Sequence, residues 1–276
     1  FASESVVYRV AGLLDQRLAT LDHGGADYYE RYQKAIEEYA AECAIAKVFC
    51  SEQLDFVVDE AVQIHGGYGY IAEYAVERYY RDSRIQRIFE GTNEINRILI
   101  PTLLLRRAEA GGLELWSSVA KARETLTLLE AAEDDRGGRE FALEHSLLAN
   151  MKALFLGLLG AVGDARESQE VTMALADLVI EIFALESAVL RAEQVYPAAS
   201  DRKKGALRAT VKVVAFERSA QFHLAATRCS GYAGLMAYRT MLRKNIQRLS
   251  YYPVEGLLDA KRLLAQTATD EGRYAL

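Results

Sequence analysis

The chain has 276 residues, 51% of them hydrophobic and 26% charged, with a formal net charge of −6. That composition excludes intrinsic disorder, supplies apolar surface for one large core or two ordinary ones, and leaves no basic footprint for nucleic acid, which is not expected as a partner. Cys43, Cys50 and Cys229 are odd in number with no CxxC spacing, and His23, His65, His145 and His223 are scattered. This argues for a reducing compartment and against a metal. Cys43 and Cys50 share a predicted helix about 10 Å apart, too far to bridge. With three prolines in the chain and abundant Ala, Leu, Glu and Arg, an all-α protein is expected.

Ser3 is placed to cap a first helix with Val6, Val7, Val10, Leu13 and Leu14 on its apolar face, ending near Asp22-His23-Gly24-Gly25. Asp27 begins one long helical pattern through Ile36, Ala44, Val48, Leu54, Val57, Val58 and Val62, stopped by Gly66-Gly67. GGYG is not the dinucleotide fingerprint, since it follows a helix and lacks G-x-G-x-x-G. It reads as a glycine C-cap whose uncovered backbone a phosphate can approach. Ile71 to Tyr80 reads as a loop and short helix, with Tyr74, Val76, Tyr79 and Tyr80 as packing residues. Next comes the tight turn Glu90-Gly91-Thr92. Gly91 permits dihedrals that other residues resist, Thr92 is a good N-cap, and Glu94 falls in the first helical turn, where a carboxylate suits the dipole. A carboxylate fixed by that glycine turn beside exposed backbone N–H groups is a candidate general base next to an anion or ribose site, although a surface Glu at a helix start satisfies the same pattern. Pro101 is expected to break or kink the helix that follows.

Glu109 to Gly112 reads as a linker. Beyond it the pattern predicts helices over Leu113–Glu130, Arg139–Val162, Ser168–Tyr196, Asp201–Cys229, Leu235–Leu249 and Pro253–Thr267, with a break at Asp134-Asp135-Arg136-Gly137-Gly138. Val171 to Leu190 is expected to be the central helix of this second core. Ala153 to Gly163, the longest apolar run, is about half the roughly 20 residues of a membrane span and reads as a buried helix in which Gly157 and Gly160 allow close packing. Arg239, Arg243, Lys244 and Arg248 form a basic face near Tyr251 and Tyr252. Such a face can lie on anionic lipid, but solvated surface charge explains it more simply, and membrane association is not expected. Phe1 has no initiator Met before it and enters straight into helical sequence, so the chain is expected to be a piece of something longer.

The run QIHGGYGY, then VERYYRD, then RIFEGTNEI resembles the C-terminal helical domain of acyl-CoA dehydrogenases. The likeness extends upstream to FASESVVYRVAGLLD and AIAKVFCSEQLDFVVDEAVQ, covering about the first 105 residues. It implies a helical bundle of that domain over 1–108 and an appended helical domain over 109–276. The appended half resembles that of the very-long-chain branch. The resemblance further implies FAD as cofactor and a fatty acyl-CoA, modestly a long-chain one, as substrate. Glu90 would be the base, with Phe89 and Gly91 lining the acyl and thioester site. Thr92, Asn93 and Glu94 would contact FAD, and Gln63, Ile64, His65, Gly66 and Gly67 would contact the FAD of a neighbouring subunit. A homodimer or higher oligomer, electron-transfer flavoprotein as acceptor, and a cytoplasmic (bacterial) or mitochondrial-matrix (eukaryotic) location follow in the same way. A non-catalytic helical scaffold of the same fold is the alternative.

Overall fold

The computed structural model describes residues 1–131, 138–163, 166, 168–234, 236–274 and 276. Among them are eleven α-helices and no strand, as the helical periodicity predicts. The chain divides into two compact units, Val6–Leu104 and Leu105–Leu276 with Phe1–Ser5, so the divisions fall inside the first and fifth helices.

The first unit draws on α1 (Ala2–Leu18), α2 (Tyr28–Glu37), α3 (Ala40–His65), a short 3-10 turn (Gly66–Tyr70), α4 (Ala75–Ile85) and α5 (Asn93–Glu109). α3 packs against α4 and the 3-10 turn, and Ala41, Ala44, Ile45, Val48, Phe49 and Val58 are its buried apolar residues. Three expectations are corrected here. Ser3 is not a cap: α1 already begins at Ala2, and the Ser5 hydroxyl donates to the Phe1 carbonyl at 2.8 Å. The single helix expected from Asp27 to Gly66 is two, because Tyr39 leaves the helical region (φ −105, ψ 18) and Glu38 is held by Arg17 of α1 at 2.8 Å. Pro101 does not break α5. Proline removes one ladder donor and crowds the preceding turn, but Ile100 and Pro101 are both buried, and their packing holds the helix across the lost bond. Tyr74, Tyr79 and Tyr80, expected as packing residues, are substantially exposed, whereas Val76 is buried.

The second unit contains α6 (Leu115–Thr125), α7 (Ala142–Val162), α8 (Gln169–Val195), α9 (Asp201–Ser230), α10 (Met236–Leu249) and α11 (Leu257–Glu271). Ser168 and Ser200 cap α8 and α9, accepting from the Val171 and Lys203 N–H groups. Its hub is not the predicted helix: α7 packs on α6, α8, α9 and α10, and α9 on α7, α8, α10 and α11, while α8 meets chiefly those two. By length and composition α7 could cross a membrane, but its Leu147, Met151, Leu154 and Leu158 are fully buried in this core. A Cβ on Gly160 would lie 2.8 Å from Val119 Cγ1, so the close approach of α6 to α7 requires glycine there. The expected break at 134–137 and the predicted helix start at Leu235 lie outside the described residues.

The expected basic face is corrected too. Arg239 donates to the Ala233 carbonyl, Arg248 donates to the Leu129 carbonyl and to Asn245, and Tyr252 is buried with its hydroxyl on Glu144. Of the four cations, Arg243 and Lys244 are exposed and Arg239 and Arg248 are half-buried.

Candidate functional site

Glu90 has φ 55 and Gly91 φ 78, two consecutive residues in left-handed backbone. Glycine adopts that region freely, whereas for Glu it costs roughly 1–2 kcal/mol. The turn is closed by the Asn93 N–H donating to the Arg87 carbonyl at 3.1 Å. Immediately after it, Thr92 Oγ1 accepts from the Ile95 N–H at 3.2 Å, making Thr92 the N-cap of α5 as the sequence predicts. Glu94, exposed in the first turn, is held below the usual carboxylate range by its own backbone N–H and then by the Thr92 hydroxyl. Glu90 and Gly91 are solvent-exposed and Phe89 partly so.

What fastens this turn is a polar stripe on α3 that apolar periodicity passes over: Lys47, Ser51, Glu52 and Asp55, spaced to share one helical face. Lys47 Nζ donates to the Gly91 carbonyl at 2.7 Å and to Asn93 Oδ1 at 2.7 Å, and burial lowers the pKa of its ammonium. Asn93 Nδ2 donates to Ser51 Oγ at 3.0 Å and to Glu52 Oε1 at 3.1 Å. Arg97 forks onto both Glu52 oxygens at 2.6 and 2.9 Å. Burial pushes the Glu52 carboxyl up, but the Arg97 and Asn93 bonds outweigh it and hold the group below its ordinary value. Arg87 Nη2 donates to Asp55 at 2.9 Å. Asn93 is therefore turned inward: it is 2% exposed, and both its amide side chain and its N–H are engaged within the chain. It anchors the turn.

The second group of expected residues lies at the far end of α3. Gln63, Ile64, His65, Gly66 and Gly67 are all exposed, about 18 Å along the helix from Ser51 by helical rise. Gly66 has φ 59, and a Cβ on Gly66 or Gly67 would meet nothing within 4 Å, so the backbone of this turn is open to close approach. His65 Nδ1 donates to the Ala61 carbonyl at 2.8 Å, which fixes its ring. Gly69, the last glycine of GGYG, is required by packing: a Cβ there would lie 2.7 Å from the Val62 carbonyl. A cleft of about 430 Å³ lined by Asp55, Tyr70, Tyr80, Arg84 and Arg87 contains none of the expected site residues.

Residues 3–105 match the family described as "Acyl-CoA dehydrogenase, C-terminal domain", and residues 162–231 match a second family of the same description. A "Probable acyl-CoA dehydrogenase" of Bacillus subtilis is 43% identical over 217 residues, covering 78% of this chain and 36% of that protein. A mitochondrial isobutyryl-CoA dehydrogenase of Bos taurus is 43% identical over 74 residues, 27% of this chain and 18% of that one. Among solved structures, an acyl-CoA dehydrogenase complexed with FAD from Bacillus anthracis superposes with a TM-score of 0.91 at 36% identity, covering 100% of this chain and 47% of that chain. The chain thus spans less than half the length of these relatives. With residues 3–105 and residues 162–231 both matching families of that description, the chain belongs to the acyl-CoA dehydrogenase C-terminal domain family.

Proposed function

We propose that the chain is the C-terminal helical part of an FAD-dependent acyl-CoA dehydrogenase, with Glu90 as the base that removes the alpha proton as a fatty acyl-CoA is desaturated between its alpha and beta carbons. The observation that carries this is the exposed Glu90 carboxylate, held in left-handed backbone between Phe89 and Gly91 at the start of α5. Strain kept at a non-glycine residue points to function. In this reading the alpha proton passes to Glu90, Phe89 borders the acyl chain, and Gly91 leaves room for the thioester. FAD, when bound, supplies the hydride acceptor that no side chain can provide.

The residues present fit such a cofactor. The open backbone at Gly66 and Gly67, beside Gln63 and His65, suits close approach of a phosphorylated group. Glu94, ionised and an acceptor only, suits a ribose hydroxyl rather than pyrophosphate oxygens. The separation of the two turns along α3 agrees with their serving cofactors in different protomers of a homodimer. Electron-transfer flavoprotein as acceptor, and a cytoplasmic or matrix location, belong to the same proposal. The very-long-chain assignment rests on the length, position and helical character of the appended half and on the phrase RIFEGTNEI, whereas an isobutyryl-CoA enzyme is among the relatives of the first half. The test is Glu90→Gln in a flavin-loaded protein that carries this chain. Flavin and acyl-CoA binding are retained, while flavin bleaching by acyl-CoA falls by at least about 10²-fold to 10⁴-fold. Bleaching at the parental rate would assign the base elsewhere.

A further inference from the structure

We infer that Lys47 is a positioning residue for the Glu90 carboxylate, acting through the Gly91 carbonyl. This rests on the reading of Glu90 as base. The Gly91 carbonyl takes two side-chain donors, Lys47 Nζ at 2.7 Å from α3 and Asn96 Nδ2 at 2.8 Å from α5. Two donors from different helices on one oxygen fix the plane of the Gly91–Thr92 peptide. That peptide follows the left-handed pair Glu90 and Gly91 directly, so its orientation sets how the turn leaves Glu90. Asn96 cannot do this alone, because its amide also donates to the Thr92 carbonyl at 3.1 Å and moves with α5 itself. Lys47 is the contact that refers the turn to a different helix.

The same ammonium grips Asn93 Oδ1 at 2.7 Å, and the Asn93 N–H closes the turn on the Arg87 carbonyl at 3.1 Å. One cation thus restrains both the peptide after Glu90 and the residue that locks the loop. Without it, a strained Glu has a downhill path to negative φ. The carboxylate would swing with the backbone, and a displacement of about 1 Å at a reacting group can cost on the order of 10²-fold in rate.

The experiment uses Lys47→Met, Lys47→Arg and Glu90→Gln in a flavin-loaded protein carrying this chain. It has two readouts, amide hydrogen exchange over residues 88–97 and flavin bleaching by acyl-CoA with its Kd measured separately. Lys47→Met, which keeps the stem and removes the donor, is expected to raise exchange over 88–93 by about 10-fold or more and to slow bleaching by roughly 10-fold to 100-fold. Its acyl-CoA Kd stays within about 3-fold, and Lys47→Arg, which restores a charged donor, recovers most of both losses. If Lys47→Met does not fold, Lys47→Leu, which also removes the donor, carries the same readouts. Parental exchange and rate overturn the inference, as does a loss that lies wholly in Kd. Glu90→Gln separates the two readings. If it is inactive while Lys47→Met bleaches normally, the positioning role falls and Glu90 stands. If it bleaches normally, Glu90 is not the base, and hydrogen exchange alone decides whether Lys47 holds the turn.

Discussion

Replacing Glu52 by Gln tests the anchorage of the Glu90 turn without touching the turn itself. Glu52 receives two N–H groups of Arg97 at 2.6 and 2.9 Å and one of Asn93 at 3.1 Å. The side chains are 17% exposed for Arg97 and 35% for Glu52, between a surface pair, worth about 0–1 kcal/mol, and a fully buried one, whose breakage costs about 3–5 kcal/mol. The amide keeps one acceptor oxygen but leaves the guanidinium without a counter-charge, so a loss of about 2 kcal/mol is expected at neutral pH. The pH dependence has a definite sign. Because the folded carboxyl is held below its ordinary value, the unfolded chain binds the extra proton first as acid is added. The stabilisation is fully present above the unfolded pKa, about 4.3, and is lost as pH falls through the folded pKa. Urea unfolding of parent and variant from pH 7 downward should give two curves about 2 kcal/mol apart that converge below pH 4, within the error of about 10–15% that extrapolation carries. A constant gap, or no gap at pH 7, would refute the reasoning.

Gln63→Ala should weaken FAD retention, read as flavin content after gel filtration, while circular dichroism is unchanged, since Gln63 is exposed at the end of α3. Gly160→Val should destabilise the second unit by about 1–3 kcal/mol in urea, because even its Cβ would meet Val119 Cγ1 at 2.8 Å. Cys229, buried with its thiol pushed up to about 12, should resist iodoacetamide at pH 8 until denaturant is added, whereas the exposed Cys43 should label in the native state, as peptide mass spectrometry would show.

The turn was legible because its determinants are local. Glycine at 91, threonine at 92 and a carboxylate two residues later specify a left-handed step and a capped helix start whatever surrounds them, and the Ile95 N–H does sit on Thr92 Oγ1. The strain at Glu90 was not legible, because nothing in a Glu announces a positive φ; the bonds that hold it, from Asn93 N–H to Arg87 and from Lys47 to the Gly91 carbonyl, lie outside the residue itself. Asn93 shows the same limit from the other side. As the first residue of α5 it looked available to a ligand, and its inward orientation depends on Lys47, Ser51 and Glu52, which lie more than forty residues earlier. The Tyr39 break carries neither Gly nor Pro, and Pro101 fails to break α5 because burial decides the outcome there. The helices of the second unit followed from periodicity, but its hub did not, since apolarity ranks α8 high without saying which helices enclose which.

The polar stripe on α3 also has a physical rationale that apolar packing could not replace. An apolar face would hold α3 against the segment from 86 to 97 with comparable free energy, but dispersion is nearly indifferent to which way a carbonyl points. Hydrogen bonds weaken steeply off axis, so Lys47 on the Gly91 carbonyl, Ser51 and Glu52 on Asn93, and Asp55 on Arg87 each specify a direction as well as a distance. A turn that keeps a glutamate in left-handed backbone needs its peptide planes specified more than it needs additional burial. A polar side facing a strained turn across a helix is therefore a sequence signal in its own right: Lys47, Ser51, Glu52 and Asp55 recur at helical spacing along α3, and such a stripe has something to hold.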